Sequence, residues 1–97
     1  MHIAEAAKII YSVAKEHGWW DKERPVPELL CLVHSEASEA LEAYREYKDD
    51  NFAEELADIV IRVFDMAEHL GINIEREIIK KTMFNKSRPY RHGGKRC

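Results

Sequence analysis

The sequence predicts an all-α fold of four helices. Apolar residues recur at helical spacing along most of the chain, and no segment alternates as a half-buried strand would. Gly, Pro or Asp/Asn clusters break the pattern at four places. The first helix is expected from about His2 to His17, with Gly18 as its stop signal. The connector Trp19-Trp20-Asp21-Lys22-Glu23-Arg24-Pro25-Val26-Pro27 follows, and its prolines keep it out of helix. The second helix is expected from Pro27 or Glu28 to Tyr47. Asp49-Asp50-Asn51 then turns the chain. Asn51 and Glu54 have the spacing of a capping box, which starts the third helix there and carries it to Gly71. Asn73 caps the fourth, with Glu75 and Glu77 in its first turn, where the helix dipole favours acids. That helix is expected to fade near Ser87, ahead of Arg88-Pro89.

The 97 residues, 45% of them hydrophobic, suit one domain over 1–97 with a modest core. A chain this short often completes its burial by oligomerising. Charge is divided unevenly. Residues 1–79 hold 8 basic and 18 acidic side chains, whereas residues 80–97 hold 7 basic and no acidic ones. The result is an acidic body with a basic tail, from about residue 88 to 97. Such a tail suits the phosphates of a nucleotide or a nucleic acid, or it folds back on an acidic body. The two cysteines, Cys31 and Cys97, form no CxxC motif, so a reducing compartment, the cytoplasm, is expected. No apolar run reaches membrane-spanning length, and the N-terminus lacks a signal-peptide pattern. There is no Gly-rich phosphate loop, no Ser/His/Asp set and no zinc spacing.

Two acidic motifs carry the chemistry. Glu36-Ala-Ser-Glu39 lies on the second predicted helix and Glu55-Leu-Ala-Asp58 on the third. Each sets two carboxylates one turn apart on the same side of a helix, where like charges repel. Brought together, the pairs form a four-carboxylate pocket for a hard divalent cation, usually Mg²⁺ where phosphates are the substrate. At about 100° per residue, Glu36 falls inside the apolar arc of its helix, beside Leu29, Leu32, Ala40 and Ala43. Glu39 falls at the edge of that arc. A carboxylate there must be paired, protonated or metal-bound. On the third helix Glu55 falls just outside the apolar arc, and the wheel places Asp58 on the exposed side. The competing reading is a solvated acidic face with partners such as Asp58 and Arg62 at i,i+4. A di-iron bundle would require Glu-x-x-His motifs, and none occurs, which favours an oxygen-only Mg²⁺ or Mn²⁺ site.

At these residues the sequence resembles the MazG-like, all-α nucleoside triphosphate pyrophosphohydrolases. The resemblance extends to Gly18-Trp19-Trp20-Asp21, to His34 through Glu42, to Glu55 through Val60 and to Asn85 through Lys95. It implies a four-helix MazG-like bundle completed by dimerisation or tetramerisation. It also implies hydrolysis of an NTP or dNTP to the monophosphate and pyrophosphate. Glu36, Glu39, Glu55 and Asp58 would then be the Mg²⁺ ligands and the catalytic acids. Reaction type follows from the resemblance better than substrate identity does.

Lys81, Asn85 and Arg88 share one side of the fourth helix and offer a point charge, a neutral donor and a planar fork for phosphate oxygens. Resemblance supports Lys81 and Asn85 most directly. Arg91, His92 and Lys95, around Gly93-Gly94, are placed to close over the same phosphates. Trp19 and Trp20 are candidates to stack on a base, against the commoner role of packing anchors. His34 points away from Glu36 and is read as structural. The alternative function is a non-catalytic helical interaction module whose tail binds nucleic acid.

Overall fold

The structure is a computed structural model that describes residues 2–89. It has four helices: α1 (Ile3–Glu16), α2 (Val26–Arg45), α3 (Asp49–His69) and α4 (Ile74–Ser87). No strand occurs among the described residues. The expected elements are all present, with shifted ends.

The helix ends have local causes. α1 closes on Gly18 at φ 81°, with the N–H of Gly18 donating to the Lys15 carbonyl and that of Trp19 to Ala14. α3 closes the same way on Gly71 at φ 73°. α2 stops at Arg45, before the expected Tyr47, because Tyr47 itself takes the left-handed conformation at φ 59°. α3 starts at Asp49, and no side chain caps it, so the expected capping box at Asn51 does not form. Asp49 and Asp50 instead place negative charge at the positive end of the helix dipole. The cap at Asn73 is present: its Oδ1 accepts from the Arg76 N–H at 3.0 Å. α1 has no cap of its own, and Glu75 on α4 supplies one, its Oε1 accepting from the Ala4 N–H at 3.0 Å.

α3 is the central helix. α2 and α1 each pack on it, while α4 packs on α1 and touches α3. α2 contacts neither α1 nor α4. The arrangement is open, with a radius of gyration of 15.9 Å, against about 12 Å for a compact chain of this size. Its core is made of small groups, Ala7, Ala40, Ala43 and Ala67, with Leu29. Large apolar side chains on every helix stay open, among them Val13, Leu41, Leu56, Val60, Met83 and Phe84.

α3 packs inside the subunit through a polar stripe. Glu55, Asp58, Arg62, Asp65 and His69 recur at alternating spacings of three and four residues, which keeps them on one side of the helix. Asp58, placed on the exposed side by the sequence pattern, is therefore partly covered. Asp65 is buried, and its Oδ1 accepts from the Trp20 indole N–H at 3.0 Å. The Trp20 ring stacks on His69 with centroids 3.7 Å apart and planes 5° from parallel. The Tyr11 hydroxyl closes the set at 2.9 Å from His69 Nδ1. Burial pushes the Asp65 carboxyl above its usual range, and the Trp20 hydrogen bond acts against that shift.

Trp20→Phe is expected to keep an aromatic ring against His69 while leaving buried Asp65 without its donor. An unsatisfied buried acceptor costs about 1–3 kcal/mol, so the urea midpoint should fall with little change in slope. A midpoint equal to that of the parent would show that this hydrogen bond does not hold the connector to α3.

Candidate metal centre

The seam between α2 and α3 is lined by the small buried side chains of Ala40 and Ala43. Their size lets the helices approach closely, and the acidic motifs lie along the seam. Glu36 and Glu39 from α2 and Glu55 from α3 come together, each offering an oxygen within 4.8 Å of the others. Glu55 Oε2 is sealed from solvent and has no hydrogen-bond partner. The Glu55 carboxyl is raised above its usual range, first by burial and then by the neighbouring carboxylates of Glu39, Asp58 and Glu36. Asp58 lies one turn further along α3. It stays outside this trio and acts on Glu55 through its charge.

Glu36 is held from the other side. Arg62 Nε donates to Glu36 Oε1 at 3.2 Å, and the Glu36 side chain is only 12% exposed. This explains how a carboxylate occupies the apolar arc of α2: it carries a cationic partner. The Arg62–Asp58 pair of the competing solvated-face reading is not among the ion pairs of the described residues; Arg62 instead makes this contact across the helix pair. The Arg62 guanidinium lies over the Trp19 ring, 4.3 Å from its centroid, and Arg24 lies over the same ring at 3.6 Å. Arg24 also donates from Nε to the Trp19 carbonyl at 2.8 Å. Trp19 is thus covered by two guanidinium groups, and Trp20 is committed to Asp65 and His69.

A cavity of about 200 Å³ opens at one end of the seam, lined by Glu39 and Glu55 with Glu42, Glu46, Lys48 and Asn51. Lys81, Asn85 and Arg88 do not share this wall, because α4 does not pack on α2. Lys81 and Arg88 instead lie over the Phe84 ring of α4 itself, 4.7 Å and 5.7 Å from its centroid. His34 is exposed on α2. Arg91, His92 and Lys95 fall outside the described residues.

The donor set suits a hard divalent cation: oxygen ligands only, clustered negative charge and one shielded oxygen with no partner. Glu36, Glu39 and Glu55 are the residues able to hold it, with Asp58 within reach of their field. Arg62 and Asp65 were not recognised as site-shaping residues from sequence. Their signal is the alternating three- and four-residue spacing that links them to Glu55 and Asp58.

A family model described as the MazG-like family matches residues 28–95, which takes in nearly all of α2, α3 and α4 and leaves out α1 and the two tryptophans. No curated protein and no solved structure matches the chain.

The raised Glu55 carboxyl gives a pH test of the cluster. A carboxyl whose folded pKa exceeds its unfolded value binds more protons when folded. Metal-free stability must then fall as pH rises from the ordinary carboxylate range through the raised value. Asp65 contributes with the same sign. Glu55→Gln is expected to lessen this decline and to make the metal-free protein more stable than the parent at neutral pH. Thermal unfolding in a chelator between about pH 4.5 and 8 measures both. Parallel curves for parent and variant would mean that Glu55 feels no repulsion from its neighbours.

Proposed function

The chain belongs to the MazG-like family, and from that membership together with its carboxylate cluster we propose that it is a Mg²⁺-dependent nucleoside triphosphate pyrophosphohydrolase. The reaction would convert an NTP or dNTP to the monophosphate and pyrophosphate by attack of water on the α-phosphorus. The observation that carries this reading is the convergence of Glu36, Glu39 and Glu55 around a shielded, unpartnered oxygen. Glu36, Glu39 and Glu55 hold the ion, Asp58 one turn away is the fourth acid of the site, and Mn²⁺ is an alternative occupant. A bound ion supplies charge neutralisation for the triphosphate and a lowered pKa for a bound water. Glu39, the most open of the trio, is the acid best placed to take a proton from the attacking water.

Lys81, Asn85 and Arg88 bind the departing phosphates in this reading. Because α4 does not reach α2 in one chain, they meet the cluster from a second copy. The same association covers the apolar side chains left open on all four helices. Arg91 and His92, which follow Arg88 in the sequence, are further candidates to bind these phosphates. Trp19 is the aromatic tied to the cluster, through Arg62, and is the candidate neighbour of the nucleotide.

Two measurements test this reading. Incubation with each common NTP and dNTP should release pyrophosphate and monophosphate with Mg²⁺ and neither with chelator. Glu36→Gln should lower that rate at least a hundredfold while the helical circular dichroism persists. Release of inorganic phosphate alone, or no turnover of any nucleotide, would reject the assignment. Light scattering at micromolar concentration should give a mass at least twice the 11.4 kDa of one chain. A stable monomer would remove the second copy from the site.

A further inference from the structure

The contact between Arg62 and Glu36 defines a role beyond simple neutralisation. Arg62 is the one described cation in ion-pair range of the trio, and it touches Glu36 alone. A guanidinium standing in for a metal would lie among the carboxylates and bridge two of them. Arg62 instead approaches Glu36 with Nε, while its planar head lies over the Trp19 ring. Trp19 is in turn fixed by Arg24, which lies over the ring and holds its carbonyl. The connector between α1 and α2 thereby sets the angle from which Arg62 reaches Glu36.

We propose that Arg62 is a positioning residue for the metal centre, holding Glu36 in the cluster against the repulsion of Glu39 and Glu55, with Trp19 as the platform that aims it. This rests on the reading of the trio as a cation site. Arg62 holds one carboxylate oxygen of Glu36 and so limits how that carboxylate can turn. Outer partners that orient a ligating carboxylate typically change metal affinity by about 10–100-fold when lost.

The test keeps every charge of the site in place, so that a changed affinity reports orientation and not field. Arg62→Lys retains the charge but loses the planar head and the Nε donor. Trp19→Leu leaves Arg62 intact and removes its platform. Mn²⁺ is titrated into parent and variants without nucleotide, with free Mn²⁺ followed by electron paramagnetic resonance and folding checked by circular dichroism. Both variants should bind Mn²⁺ more weakly, Arg62→Lys by about tenfold and Trp19→Leu by a smaller factor of at least about threefold. Affinity within twofold of the parent, or tighter, in either folded variant would overturn the proposal. A parent that binds no Mn²⁺ would overturn the cation site itself, and the positioning role with it.

Discussion

The polar stripe of α3 is the constraint on which the rest of the molecule depends. A helix in a small domain normally turns its apolar side inward. Here Arg62, Asp65 and His69 face other elements of the same chain and have partners in Glu36, Trp20 and Tyr11, whereas Glu55 faces Glu39 and leaves one oxygen unpartnered. Partnered polar groups are tolerated in the interior because their lost hydration is replaced. The consequence is that Leu56, Val60 and Ile61 on the same helix remain 43–47% exposed. The stripe thus fixes both the position of the candidate site and the apolar surface left over.

Within the stripe, the carboxylate cluster is the costly part and the aromatic segment the stabilising part. Glu36, Glu39 and Glu55 carry like charges within 4.8 Å of one another on two helices that pack together. Three means of relief are available to such a cluster: a fixed cation, a proton or a bound divalent ion. Arg62 provides the first for Glu36, and burial with neighbouring negative charge shifts Glu55 toward the second. Further along, the stack of Trp20 on His69 and the Trp20 bond to buried Asp65 supply a directional anchor. The adjacent Trp19 and Trp20 join the two parts, since one touches Arg62 and the other Asp65.

Much of this was legible in the sequence. Periodicity gave four helices, and Gly18, Gly71 and Asn73 marked their boundaries because each has a local physical role. Glu36 stood out because a wheel places it among apolar neighbours, and it is indeed only 12% exposed on its side chain. Local reasoning failed where the partner is distant in sequence. The wheel assigned Asp58 to solvent, since a single helix cannot reveal that its polar side is the packed one. Glu75 capping α1 across 71 residues could not be read from α1 alone. The capping box at Asn51 matched in spacing, but Asp49 and Asp50 had already begun the helix. The stripe Lys81, Asn85, Arg88 rests on helical spacing, which places residues on a side of a helix without saying what that side meets.

That last point connects charge with packing. α2, which supplies two acids of the seam, and the basic side of α4 belong to one chain yet do not touch. Ile79, Met83 and Phe84, interleaved with the lysines of α4, are 54–57% exposed. Opposite charges kept apart within a subunit attract between subunits, and the same approach removes apolar area from water. In the proposed assembly, one event would therefore cover the open side of the fold and set phosphate-binding donors opposite the carboxylates. Charge attraction alone would be weakened by salt, whereas the apolar component would not. The association and the candidate site would then share a single origin in the polar stripe of α3.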